Sequence, residues 1–119
     1  MTLSRIRFAV GTLGLLLFCA FGAQAQSPNC GEVKTADEVL ICQNHQLSWR
    51  DKEMAHLVSM LRKSMSAKER RVLDAEQHSW RRARMSCGKD VYCIEDHYDQ
   101  RIHQLLTVEC LRERNCSRW

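Results

Sequence analysis

The run AEQHSWRRARMSC, residues 75–87, decides the fold. On a helix, Gln77, Trp80, Arg84 and Cys87 stand at offsets of 3, 7 and 10, which place all four within about 80° of arc. An amide, an indole, a guanidinium and a thiol therefore share one stripe, where a helix packed only for stability carries Leu, Ile and Val. The pattern reads as a polar-latched helical core that ends in a disulfide. The other reading, in which Arg84 contacts a ligand, would need this face to reach solvent.

Working outward, Ser66-Ala67-Lys68-Glu69 is a capping box that starts this helix, and Leu73 joins its apolar side. The turn Gly88-Lys89-Asp90 is short, so the next helix is its antiparallel neighbour. Asp90 caps that helix, whose inward positions are Val91, Ile94, Tyr98, Ile102 and Leu105, at steps of 3, 4, 4 and 3. Upstream, Thr35-Ala36-Asp37-Glu38 is a second capping box, for a short helix from Ala36 to about Cys42. Asn44 caps a longer one carrying Leu47, Met54, Val58, Leu61 and Met65, with Asp51 on the same stripe. The spacing predicts an all-α bundle of about four helices.

Residues 1–25 stand apart from that domain. Arg5 and Arg7 precede a 14-residue apolar run from Phe8 to Phe21, and Ala23-Gln24-Ala25 is a small-residue cleavage site. This reads as a signal peptide cut before Gln26. The run is shorter than the about 20 residues of a membrane span, and Phe18 before Cys19 does not fit a lipoprotein signal. An exported, periplasmic or secreted domain of residues 26–119 with no stable membrane anchor is expected, its core at 30–106 and a C-terminal extension at 107–119.

Without Arg5 and Arg7, 16 of the 18 Lys and Arg remain against 14 Asp and Glu, a net charge of about +2. That balance does not call for a nucleic-acid partner. Six cysteines remain behind the export signal: Cys30, Cys42, Cys87, Cys93, Cys110 and Cys116. An even count in an exported chain indicates disulfides. Of the 15 possible connectivities, the three close spacings favour Cys30 with Cys42, Cys87 with Cys93, and Cys110 with Cys116. Two positions six apart on an unbroken helix lie about 240° apart, so the last bridge requires the helix to end near Asn115. No C-x-x-C is present, the five histidines stand apart, and His97 and His103 point to different faces, so no metal or other cofactor is expected.

Nor does the chain carry G-x-S-x-G, H-E-x-x-H or a glycine-rich phosphate loop, and Glu95 and Asp96 diverge on a helix. It reads as a binding protein, not an enzyme. Trp49 lies two residues from Leu47 and off the apolar stripe, which makes it the best exposed aromatic. Arg81, Arg82 and Lys89 form a basic corner beside the third helix. Arg84 requires a carboxylate, Asp51 being the first candidate and Glu38 the second.

Cys30, Glu38-x-x-Ile41-Cys42, Leu47, Asp51, Gln77-x-x-Trp80-x-x-x-Arg84-x-x-Cys87, Cys93 and Tyr98-x-x-Arg101-Ile102-x-x-Leu105 together resemble the LprI-like lysozyme inhibitor family. The resemblance implies a small exported helical domain with local disulfides, and a protein partner that is a lysozyme. It makes Glu38, Asp51, Gln77, Trp80, Arg84, Tyr98 and Arg101 scaffold and carries over no inhibitory residue; the candidate binding surface read from the sequence itself is Arg81, Arg82, Lys89 and Trp49. The second reading is a structural or stress-related interaction module of the envelope without an enzyme target. Neither reading sets an oligomeric state.

Overall fold

The computed structural model describes residues 27–114 and 116. The signal-peptide reading of residues 1–25 and the terminal Trp119 lie outside them. Four helices follow in order, α1 (Ala36–Gln43), α2 (His45–Ser64), α3 (Ala67–Met85) and α4 (Val91–Glu113), and no strand occurs among the described residues.

Each helix starts where a side chain can take up its first free N–H groups. Glu38 reaches back to the backbone N–H of Lys34 at 2.9 Å and of Thr35 at 3.3 Å, closing the box at the start of α1. Asn44 is extended (φ −101°, ψ 117°) and belongs to two helices at once. Its N–H ends α1 on the Leu40 carbonyl, while its side chain accepts from Gln46 and Leu47 to begin α2. Ser66 and Glu69 exchange hydrogen bonds at the head of α3, and Asp90 accepts from the Cys93 N–H at the head of α4. Between α3 and α4 the chain tightens through bonds from Ser86, Cys87 and Gly88 to the carbonyls three residues earlier. Gly88 then turns it with φ +58°, a conformation that disfavours side chains bearing a Cβ.

The core is one cluster, in which Leu47, Met54, Val58 and Leu61 of α2 meet Ile94, Tyr98, Ile102 and Leu105 of α4. Ile41 and Leu73 add α1 and α3. Leu57, which lies beside the expected α2 stripe, is buried as well, whereas Met65 and Val91 are only half-buried. Three bridges join Cys30 to Cys42, Cys87 to Cys93 and Cys110 to Cys116. The last is reached because α4 stops at Glu113 and Arg114 takes a left-handed conformation, φ 51°.

α4 continues past Leu105, its last buried apolar position among the described residues, and the reason is polar. Arg112 donates to Glu69 Oε1 and to the Ser64 carbonyl, both at 2.6 Å, so the end of α4 is fastened to the α2–α3 connection. Ser66, its backbone and Arg112 together hold the Glu69 carboxyl down to about 2. At the other end Arg50 of α2 grips Asp99 of α4 at 2.8 Å and stands 3.9 Å from Glu95. Arg62 also pairs with Asp74, from α2 to α3.

Candidate functional site

The polar stripe of α3 faces inward, as a buried relay. Arg84 Nε donates to Asp37 Oδ2 at 2.8 Å and Arg84 Nη1 to the Tyr98 hydroxyl at 3.0 Å; that hydroxyl donates to Asp51 Oδ1 at 2.7 Å. Four groups from four helices are thereby linked, and each is at most 3% exposed. The guanidinium also lies 5.1 Å from the Trp80 ring and 5.7 Å from the Tyr98 ring, within cation–π range. Trp80 is half-buried, packs edge-on against Tyr98 and donates its indole N–H to the His97 carbonyl at 3.0 Å.

The expected partner of Arg84 needs correcting. Neither Asp51 nor Glu38 pairs with it directly; Asp37 does. Asp51 is one link farther away because the Tyr98 phenol stands between them, and Glu38 is spent on the α1 cap. Adjacent carboxylates in one capping box thus divide the work: Glu38 serves the backbone and Asp37 enters the core. Burial by itself would raise Asp37, but the nearby Thr35 hydroxyl and the Arg84 guanidinium outweigh it and hold the carboxyl below its ordinary value.

Tyr98 moves the other way. Burial, reinforced by Asp51 and opposed by Arg84, pushes the phenol well above its usual value. Its folded pKa is raised, so its stabilising contribution is complete below about pH 10 and is lost as pH climbs through the folded value. In a Tyr92→Phe variant Tyr98 is the chain's remaining tyrosine. Phenolate absorbance is then expected to stay absent past about pH 11 and to rise together with loss of helical circular dichroism. Ionisation near pH 10 with the helices intact would mean that water reaches the relay.

A second buried group sits one turn away. Gln77 accepts from Arg101 Nε at 2.8 Å and turns its amide nitrogen to the Met54 sulfur. Arg101 also donates to Gln104 at 3.1 Å and lies 3.5 Å from Glu76. Burial lowers its pKa, against the pull of Glu76. Gln77 spends both ends of its amide inside the core, while Asp37 Oδ1 and Arg101 Nη2 are buried without a hydrogen-bond partner among the described residues.

Arg81, Arg82 and Lys89 lie where α3 hands over to α4, and Trp49 lies on α2. Arg82 and Lys89 are exposed, and no ion pair engages either among the described residues. Arg81 is only half-buried outward, and burial together with neighbouring Arg84 depresses its pKa. Glu95 stands 3.9 Å from Arg50 of α2. Trp49 is 58% exposed, and its neighbour Arg50 ties this part of α2 to the first turns of α4. Two more apolar groups of this end escaped the sequence reading: Tyr92, 80% exposed, and Met85, 46%. The available signal was their position off the inward stripes. A cationic surface interleaved with aromatic and apolar groups can dock an acidic protein face.

A groove of about 1110 Å³ lies between α3 and the second half of α4, lined by Leu73 and Leu105 together with Val72, Val108, Lys68 and Glu76. No helix among the described residues is long and apolar enough to cross a membrane.

Neither a curated protein nor a solved structure matches the chain. The family model of the lysozyme inhibitor LprI matches residues 28–119, from just before the first bridge through all four helices. A match over most of the sequence, on a stapled helical bundle with the motif residues interlocked in its core, makes this chain a member of the LprI lysozyme inhibitor family.

Proposed function

We propose that the domain is exported, binds a lysozyme by protein–protein contact and blocks its cleft, with no catalysis of its own. Family membership supports a lysozyme as the class of partner. The observation that carries the mode of binding is the α3–α4 corner, where Arg82 and Lys89 stand exposed beside Tyr92 and Met85. Lysozyme-type clefts carry two carboxylates flanking the scissile bond. A cationic corner with an aromatic neighbour is complementary to such a cleft in charge and in character. The buried relay supports the corner without touching the partner.

The test is lysis of a peptidoglycan suspension by chicken-type, goose-type and invertebrate-type lysozymes, with increasing amounts of oxidised protein. At least one of them is expected to be inhibited stoichiometrically. Arg82→Glu combined with Lys89→Glu should weaken that inhibition roughly tenfold or more, about 1.4 kcal/mol, with an unchanged helical spectrum. Arg81 is left in place because it is half-buried, so reversing its charge would also strain the fold. Undiminished lysis by all three enzymes at large molar excess would defeat this reading and favour the envelope interaction module.

A further inference from the structure

The turn between α3 and α4 brings together three side chains that metals favour. Cys87 Sγ, Cys93 Sγ and a ring nitrogen of His97 all lie within 4.8 Å of one another, and each residue is half-buried. Neither of the other two bridges has such a companion among the described residues. We propose that this corner is a redox-gated site for a thiophilic d10 cation such as Zn(II), closed while Cys87 and Cys93 are bridged and open once a dithiol reductant has cleaved them.

The local architecture supports ligation at each position. Cys93 and His97 are four residues apart on α4 and so share a face. Cys93 is the third residue of that helix, where the positive end of the helix dipole favours a thiolate. The His97 ring makes no hydrogen bond or ion pair among the described residues, while its carbonyl is fixed by the Trp80 indole. An unengaged imidazole on an anchored backbone is free to bind through one nitrogen.

The distances are suitable. Zinc bonds of about 2.3 Å to sulfur and about 2.0 Å to nitrogen, in a tetrahedral array, place the sulfurs roughly 3.8 Å apart and the nitrogen roughly 3.5 Å from each. The Cys87 and Cys93 Cα atoms stand 5.6 Å apart, so side-chain torsions can part the sulfurs after cleavage. Opening the bridge removes a loop closure of only six residues and leaves the Asp90 cap and the Trp80 bond in place.

The chemistry balances. The dithiol gives two electrons and two protons, the S–S bond breaks, and the reductant leaves as its own disulfide. Binding then releases one proton from each cysteine thiol, so two thiolates neutralise the dication. Neutral His97 is the third ligand and water the fourth.

The test reduces the mature protein with a phosphine, removes the phosphine without air, adds one equivalent of Zn(II) and maps alkylation by iodoacetamide. Cys87 and Cys93 are expected to be protected roughly tenfold or more, with Cys30, Cys42, Cys110 and Cys116 unprotected, and His97→Ala should remove the protection. The bridged protein should take up no zinc at the corner in equilibrium dialysis. Circular dichroism is recorded alongside, because full reduction also opens the other bridges. If reduction melts the bundle, zinc should restore helix to the wild type and not to His97→Ala. Equal alkylation with and without zinc, protection that survives His97→Ala, or a melted chain that zinc does not rescue would each overturn the proposal.

Discussion

Arg84→Ala is expected to lower the unfolding free energy by about 3 to 5 kcal/mol. The side chain removed is 4% exposed and its partner Asp37 1%, so solvent screening does not soften the loss. Truncation leaves a buried carboxylate without its cation and takes one hydrogen bond from the Tyr98 hydroxyl. Small domains have about 5 to 15 kcal/mol in total, so the loss is a large share of the stability and should lower the unfolding midpoint strongly. Arg84→Lys should rescue little, because one ammonium cannot reproduce a planar fork that serves Asp37 and Tyr98 together. Urea unfolding followed by circular dichroism measures both variants. An unchanged midpoint for Arg84→Ala would mean that the relay contributes nothing to stability.

The second large effect belongs to the first bridge. Cys30→Ser with Cys42→Ser opens a loop spanning 12 positions, worth about 3 kcal/mol on chain-entropy grounds. The consequence reaches beyond that loop, since α1 has only eight residues and carries Asp37 into the core. A loosened α1 weakens the grip on Arg84, so combining this pair with Arg84→Ala should cost less than the sum of the two changes. Additive losses in a double-mutant cycle would show that α1 holds its place without the bridge. Removing Cys110 and Cys116 should matter less, because among the described residues no buried core residue lies beyond Leu105.

Both effects depend on features that differ in how readily sequence discloses them. Helix starts were legible because capping is local: Thr35 with Glu38, Ser66 with Glu69, Asn44 and Asp90 each act within three residues. The inward stripes of α2 and α4 were legible because periodicity is local as well. Leu57 was missed because the buried face of α2, meeting both α4 and the other helices, is wider than one stripe. The partner of Arg84 was not legible. Choosing among Asp37, Glu38 and Asp51 requires knowing how α1 is rotated against α3, and that rotation is a tertiary fact. His97 was set aside for a related reason. Counted from His103 it is solitary, and only the folded turn delivers Cys87 beside it. The exposed corner was partly legible, since Arg82, Lys89 and Trp49 lie off the inward stripes, whereas Tyr92 and Met85 went unnoticed.

The joint at Asn44 bears on how this chain can diverge in length. One residue closes α1 and opens α2, with no slack between them. Inserting a residue there would separate the end of α1 from the start of α2 and shift α1, with Asp37 and the whole Cys30–Cys42 loop, out of register with Arg84 in the core. The turn at residues 86–90 faces a similar limit from the bridge that spans it. The connection at Met65 and Ser66 is shielded by neither a disulfide nor a shared cap, although Arg112 touches both of its flanks. Among relatives, gain and loss of residues should therefore concentrate there and beyond α4, while the spacing from Cys30 through Leu47 stays invariant.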